Sequence, residues 1–344
     1  MKHKLPICLW LLFASLYLNA QDIHYSQYNE APLLLNPALA GTAINPVRVT
    51  LNYRNQWPTI GNAYNTIAAS VDLPVGDNGT SRRPLPHLGA GFSFFRDQAG
   101  EAKLGTTTGA LTLAGVVPLS EYHKLSAGIQ GGLAQRTGDV NKLSWGSQFV
   151  NGGYSGDYPS GEFDNLSSPA YADISTGIYY QFSSVAERFL QEDVIKIMAG
   201  MAFYHVNQPV TTYGGFTGQK LNQKTMYMLS GQFDFPDSKY SLLPSFVHWK
   251  QGAYSETVFG MLFKMRLIEA SKFTGLNEQS SFALGASYRT NDAIIFEAHY
   301  QVSSYTFGFS YDANISKLIS ASKSVGAAEL VLKYAPGRKT FKGK

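Results

Sequence analysis

Lys124-Leu125-Ser126-Ala127-Gly128-Ile129-Gln130-Gly131-Gly132-Leu133-Ala134-Gln135-Arg136 alternates with a period of two. Successive side chains of an extended chain point to opposite faces. Leu125, Ala127, Ile129, Gly131 and Leu133 therefore share one face, and Lys124, Ser126, Gln130 and Arg136 the other. One face suits hydrocarbon and the other suits water. Thr257 to Leu267 repeats the pattern, with Phe259, Met261, Phe263, Met265 and Leu267 opposed to Lys264 and Arg266. Ile294, Phe296, Ala298, Tyr300 and Val302 then alternate with Glu297, His299 and Gln301, and Phe307, Phe309 and Tyr311 with Gly308, Ser310 and Asp312. Segments of ~10 residues with this period are what a transmembrane barrel needs, because outward residues touch lipid and inward ones a polar lumen.

About fourteen such segments can be marked, an even number as bacterial barrels prefer. They begin near Val47, Ala63, Leu88, Leu104, His123, Tyr171, Val194, Gln223, Ser241, Glu256, Ser281, Ala293, Ser304 and Val325. Asn291-Asp292 and Pro236-Asp237 mark tight turns between them. The longest break runs from Gly138 to Pro169 and carries Tyr154, Tyr158 and Phe163 among Gly, Ser, Asn and Asp. With a periplasmic N-terminus this break lies outside the cell, as an exposed recognition loop. A soluble β-sandwich alternates too, but here large apolar side chains line nearly every strand, and barrel closure removes the edges that so many amphipathic strands would otherwise expose. The expected fold is all-β: a transmembrane antiparallel β-barrel over residues 47–334.

The chain opens with Lys2, His3 and Lys4, an apolar run from Leu5 to Leu18, then Asn19-Ala20. That is the form of a signal peptide over residues 1–20, and the run is too short for a spanning helix, which needs roughly 20 apolar residues. The single cysteine, Cys8, lies within it. Ile7 is bulky where lipid attachment wants a small residue, so a lipoprotein reading is weak. A mature chain starting at Gln21 has no cysteine and so neither disulfides nor thiolate metal ligands. After Gln21 no uncharged run is long enough to cross a bilayer as a helix.

Residues 21–46 precede the first strand. Pro32, Pro37 and Pro46 forbid a central strand, while Leu33, Leu34, Leu35 and Leu39 are too apolar for a solvated tail. The segment must pack against something, either as a plug or rim strap within its own barrel or as a contact for a partner. Tyr25, Asn36 and these leucines and prolines are its candidate packing or partner residues. Residues 335–344 form a basic tail.

Little here supports chemistry. The formal net charge of +4 falls to +2 without Lys2 and Lys4, and the basic residues are scattered, so no nucleic-acid footprint is present. The charged fraction is 15%, below the ~25% of ordinary soluble domains. Aromatic residues make up 13% and glycines number 33, which suits closely packed strands with rings facing an apolar medium. There is no Gly-x-x-x-x-Gly-Lys-Ser/Thr loop, no His-Glu-x-x-His helix and no Gly-x-Ser-x-Gly elbow. Gly89-Ala90-Gly91 and Gly131-Gly132 fall inside strands as packing glycines. Glu297 and His299 with Ser310 or Asp312 resemble a base with an orienting carboxylate, but polar residues on a lumen face need no such purpose. No catalytic residue, cofactor or metal ligand is assigned. Asn78-Gly79-Thr80, Asn165-Leu166-Ser167 and Asn314-Ile315-Ser316 read as turn asparagines rather than glycosylation sites. Trp57, Trp145 and Trp249 are read as members of an interfacial aromatic girdle, with plain core packing as the alternative.

Gln21-Asp22-Ile23-His24-Tyr25-Ser26-Gln27-Tyr28, Ala31-Pro32-Leu33-Leu34-Leu35-Asn36-Pro37-Ala38-Leu39-Ala40-Gly41-Thr42 and Asn52-Tyr53-Arg54-Asn55-Gln56-Trp57-Pro58 resemble the opening of the PorP/SprF family of the type IX secretion system of Bacteroidetes. The likeness continues through Asp97-Gln98-Ala99-Gly100, Gln135-Arg136, Asn207-Gln208-Pro209, Tyr288-Arg289-Thr290-Asn291-Asp292-Ala293-Ile294 and Tyr311-Asp312-Ala313-Asn314-Ile315-Ser316. It implies an outer-membrane barrel, commonly of fourteen strands, that serves the secretion and gliding machinery. Its implied partners are the periplasmic ring or its lipoprotein, a secreted protein with a C-terminal sorting domain, and outer-membrane lipid. The family offers no catalytic residues to carry over. The ending Glu329-Leu330-Val331-Leu332-Lys333-Tyr334, followed by the basic tail, departs from barrels that finish on a terminal aromatic residue. Two functions compete: a non-enzymatic secretion component that anchors or receives a partner, with Trp57, Trp145, Tyr154 and Tyr158 as further contact candidates, and a channel or transporter for small solutes.

Overall fold

The computed structural model describes residues 23–59, 63–76, 85–161, 166–185, 194–213, 216–268, 280–317 and 319–337. The signal segment, Gln21, Phe163, Asn78 and most of the basic tail lie outside them. The strands in chain order are β1 (Arg48–Gln56), β2 (Tyr64–Val75), β3 (His87–Ala99), β4 (Leu104–Pro118), β5 (His123–Thr137), β6 (Phe149–Val150), β7 (Gly153–Tyr154), β8 (Tyr171–Ser183) and β9 (Ile195–Tyr204). They continue with β10 (Val210–Tyr213), β11 (Phe216–Lys220), β12 (Lys224–Asp234), β13 (Tyr240–Gln251), β14 (Tyr254–Ile268), β15 (Ser280–Arg289), β16 (Ala293–Val302), β17 (Tyr305–Asn314) and β18 (Val325–Tyr334). Fourteen of these form one closed antiparallel barrel, while β6–β7 and β10–β11 are separate two-stranded hairpins. The seam runs antiparallel from Val49 opposite Tyr334 to Gln56 opposite Ala327, so the last strand, which ends on Tyr334 ahead of the basic tail, completes the cylinder. Every barrel strand begins within two residues of its sequence-based position. The hairpin β10–β11, between β9 and β12, carries no alternation long enough to announce it.

The faces fall as the period requires. Leu125, Ile129 and Leu133 on β5 are 42%, 56% and 63% exposed, while Lys124, Ser126 and Gln130 are buried in the interior. Phe259, Met261 and Phe263 on β14, Phe296 and Tyr300 on β16 and Phe307 and Phe309 on β17 are likewise outward and exposed. A soluble monomer rarely shows apolar patches beyond a few hundred Å², and a band of this kind around the whole cylinder belongs against lipid. Within hydrocarbon every backbone N–H and C=O must find an internal partner, which a closed ladder provides. No described helix is long and apolar enough to cross a membrane. Asp237 and Asn291 take positive φ (49° and 58°) in the two anticipated tight turns, a conformation that short polar side chains tolerate.

One expectation fails on packing grounds. Trp249 is not a girdle residue: it points inward, is 4% exposed, and belongs to the central cluster with Tyr28, Leu35, Leu39 and Val247. Its position on β13, between outward-facing neighbours, puts its side chain on the lumen side, and the apolar segment described next supplies its contacts.

Candidate functional site: the lumen and the segment seated in it

Residues 23–42 cross the inside of the barrel from one end to the other. At one end the carbonyl of Ile23 lies 3.5 Å from Lys224 Nζ at the start of β12. At the other, the carbonyl of Thr42 accepts from Lys124 Nζ at 3.2 Å, and that of Gly41 lies 3.0 Å from His87 Nε2, both at strand starts facing the opposite way. Between them the chain makes only short turns: Tyr28–Glu30, Pro32–Leu35 and Pro37–Leu39. Pro32 and Pro37 each stand at a first helical position, where the missing N–H costs nothing, and the Asn36 side chain caps the last turn by accepting from Ala38 N at 2.9 Å. Prolines that bar a strand thus fold the segment into a compact knot. Tyr25, Tyr28, Pro32, Leu33, Leu35, Asn36, Pro37, Ala38 and Leu39 are all buried.

The barrel wall is cut to receive this knot. A Cβ added to Gly128 on β5 would lie 2.6 Å from the carbonyl carbon of Pro37, one added to Gly91 on β3 would lie 2.7 Å from Leu33 Cδ1, and one added to Gly200 on β9 would lie 2.9 Å from Asn36 Nδ2. Gly89 on β3, Gly177 on β8 and Gly308 on β17 are more closely approached still, by Ala40, Asn36 and Gln27. Five strands therefore give up inward side chains where the segment touches them. Asn36 uses the space to donate through Nδ2 to the carbonyl oxygens of Ile178 (2.9 Å) and Met201 (3.3 Å), and Gln130 Nε2 reaches the Leu33 carbonyl at 3.3 Å.

Its other anchor is ionic. Ser26 Oγ donates to Asp312 at 2.7 Å and accepts from Arg54 Nη1 (2.6 Å) and Arg289 Nη2 (2.8 Å). The backbone N–H groups of Ser26 and Gln27 donate to the two oxygens of Glu329 at 2.6 and 2.9 Å. Arg54 pairs with Glu329 and Asp312, and Arg289 with Asp312 at 2.9 Å and Glu256 at 3.1 Å, every side chain at most 4% exposed. Such a cluster adds little net stability, yet removing one member costs about 3–5 kcal/mol because it strands a buried charge. A second contact joins Glu30 to Lys333 Nζ at 2.6 Å.

Of the sequence candidates, the segment residues come together in the lumen; the other four do not join them. Trp57 follows β1 with φ of 55° and packs edge-on against Tyr64 at 5.6 Å between ring centres. Trp145, Tyr154 and Tyr158 lie in the excursion between β5 and β8, where Gln148 bonds the Trp145 amide and the Tyr158 carbonyl and Tyr154 packs on Phe149 at 5.7 Å. The suggested base Glu297 and His299 approach to 3.5 Å, but His299 also faces Glu30 at 4.0 Å, Ser310 accepts from Gln27 Nε2 at 3.2 Å, and Asp312 is held by two arginines. Among the described residues no three His, Cys, Asp or Glu side chains group as metal ligands. Gly89 and Gly91 were read as packing glycines, but Arg54, Glu329 and the inward Gly128, Gly177, Gly200 and Gly308 were given no lumen role from sequence. Their signal was present, since Gly128 and Gly308 occupy the face where polar side chains alternate.

The family model described as type IX secretion system membrane protein PorP/SprF matches residues 18–334. The chain belongs to this family. The PorP/SprF barrel is accordingly an outer-membrane component of type IX secretion, and its resident lumen segment falls inside the matched range. No curated protein matches it. Among solved structures it is similar to the toluene transporter TbuX of Ralstonia pickettii (13% identity, 90% of this chain and 94% of that one, TM-score 0.46). It is also similar to the monoaromatic hydrocarbon channel CymD (11%, 90% and 93%, 0.44). A third likeness is to BamA from Haemophilus ducreyi lacking POTRA domains 1–3 (10%, 84% and 70%, 0.40).

Proposed function

We propose that this PorP/SprF barrel is a closed, non-enzymatic docking component: residues 21–46 plug its lumen, and its rims and loops anchor or receive a secreted protein with a C-terminal sorting domain and the periplasmic ring or its lipoprotein. The observation that carries this reading is the fit between the segment and the inward glycines. A mobile gate needs two comparable resting states, whereas this knot is matched to one by bonds to strands all around the cylinder. Of the lumen groups that resemble a catalytic pair, His299 faces Glu30 of the segment at 4.0 Å and Glu297 accepts from Ser287 Oγ on the wall, so both are accounted for as lumen packing. With the interior occupied, contact with partners falls to exposed parts such as the β5–β8 excursion, where Phe149, Tyr154 and Tyr158 stand out from the surface.

Deleting residues 21–42 while keeping the signal segment tests this. The barrel should still form and show heat-modifiable mobility, since its ladder is complete without the segment. It should conduct in planar bilayers where the intact protein does not, and client export should fail. Conductance by the intact protein would favour the solute-channel reading instead. Normal client export by the deletion strain would remove the case for a role of the segment in secretion.

A further inference from the structure

The lumen segment and the first strand are two legs of one hairpin, and the inner leg starts at the mouth where the outer leg ends. β1, β3 and β5 begin at one mouth, and there the segment finishes, with Gly41 and Thr42 against His87 and Lys124. Asn45 belongs to the same mouth, its Nδ2 donating at 2.9 Å to the carbonyl oxygens of Ala335 and Pro336 just past β18. The first described residues lie at the other mouth. Ile23 meets Lys224, the first residue of β12, and the His24 ring stands 6.1 Å from that of Trp249 near the end of β13. Ser26 bonds Arg289, the last residue of β15, and Asp312 near the end of β17. The β5–β8 and β9–β12 connections leave the barrel at this second mouth, where β5 and β9 end.

The two mouths are far apart on the scale of a few residues. β9 crosses the wall in 10 residues, which at about 3.4 Å each and a tilt near 40° is roughly 25 Å. Two residues ahead of Ile23 reach about 7 Å at full extension. A chain that starts at Gln21 therefore cannot bring its beginning back to the mouth where Thr42 sits. The route down the lumen is also taken, since Tyr25, Ser26, Gln27 and Leu33 are all buried there. The ionic anchor fixes this end in place: Arg54, Arg289 and Asp312 hold the Ser26 hydroxyl, and Glu329 holds the backbone of Ser26 and Gln27.

We infer that the lumen carries the amino terminus of the mature chain to the mouth of the β5–β8 excursion, and so displays it on the outer face although β1 begins at the periplasmic one. The inference rests on removal of residues 1–20 and, for the word outer, on the reading of the long connections as external. The docking face then has three elements: the β5–β8 excursion, the β9–β12 connection and the start of the chain itself. A secreted protein that meets this face meets the end of the segment that fills the lumen.

A chain starting at Gln21 has no cysteine of its own, so single cysteines report which mouth a position shares. Asp22→Cys, Gly156→Cys in the excursion and Glu121→Cys in the β4–β5 turn at the mouth of Thr42 are made in the full chain. Each is treated with a membrane-impermeant maleimide on intact and on lysed cells, and mass spectrometry of the purified protein fixes its first residue. An epitope inserted between Asp22 and Ile23, read by antibody, gives a second measurement at the same place. Asp22→Cys should label on intact cells as Gly156→Cys does, with Glu121→Cys labelled only after lysis. If Asp22→Cys and Gly156→Cys both need lysis and Glu121→Cys does not, the amino terminus still shares the mouth of the excursion, and the outward reading of that mouth is what falls. A cysteine and an epitope ahead of Ile23 that both side with Glu121→Cys overturn the inference, as does a purified protein that keeps residues 1–20.

Discussion

Gly128→Val separates the needs of the barrel from those of the segment it holds. Valine favours strands, so β5 itself should accept it. The difficulty is inward: the new Cβ would meet the Pro37 carbonyl carbon at 2.6 Å and the Ala38 amide nitrogen at 2.7 Å. Both are backbone atoms, and relief requires the segment to move. Overpacking of this kind costs about 1–3 kcal/mol. Lifting residues 37–39 away instead would expose Leu39 at about 1.5–3 kcal/mol and break the two Asn36 bonds at about 0.5–1.5 kcal/mol each, so the strained seated state is the cheaper outcome. Its opening free energy then falls by the overpacking cost, and opening rises roughly 5- to 150-fold. Hydrogen exchange of the Leu34, Leu35, Asn36 and Leu39 amides, all bonded within the knot, reads this directly in lipid-embedded protein. Gly131→Val is the control, because a Cβ on that outward glycine of the same strand meets nothing within 4 Å. Equal exchange in the two variants would refute the idea that the segment is seated on Gly128. So would loss of insertion by Gly128→Val in a chain from which residues 21–42 had been deleted.

Met261→Arg should impair insertion far more than Lys264→Gln, since Met261 is outward and 50% exposed and arginine at the bilayer midplane costs about 2–4 kcal/mol; equal heat-modifiable mobility would reverse the face assignment of β14. An epitope placed near Gly156 in the β5–β8 excursion should be labelled on intact cells, and a need for permeabilisation would invert the proposed topology. Burial alone would raise the Glu30 pKa, but Lys333 and then His299 outweigh it and hold it below its ordinary value. A depressed carboxylate adds stability above its unfolded pKa of about 4.3 and loses it as pH falls through the lower folded value. Exchange of the segment should therefore accelerate below about pH 4, and Glu30→Gln should flatten that acid step.

The barrel was legible because its signal is local and repeated. A two-residue period needs only a strand and two environments, so β5, β14, β16 and β17 could be read one at a time. Hairpin β10–β11 was not, because a short excursion outside the membrane has no lipid face to impose alternation. The apolar, proline-broken character of residues 21–46 announced that they must pack. Where they pack depends on pairings such as Ser26 with Asp312 and Gln27 with Glu329, some 300 positions apart in sequence, and no local pattern encodes those. Trp249 was misread for the same reason. Its aromatic character suits an interface, and only the presence of the segment in the lumen makes the inward side apolar enough to take it.

The ionic anchor also has a bearing on biogenesis. Ser26 and Gln27 are among the first residues described, and their ligands Asp312 and Glu329 lie on the last two strands to be synthesised. The seam that closes the cylinder, β1 against β18, joins the first and last strands of the barrel. Contacts this distant in sequence form late, after the loop-closure entropy has been met. Folding of the lumen and closure of the wall thus converge on one final event, and a polypeptide truncated before β17 lacks both. The molecule carries its own checkpoint: only a chain translated through β18 can seat the segment that precedes β1.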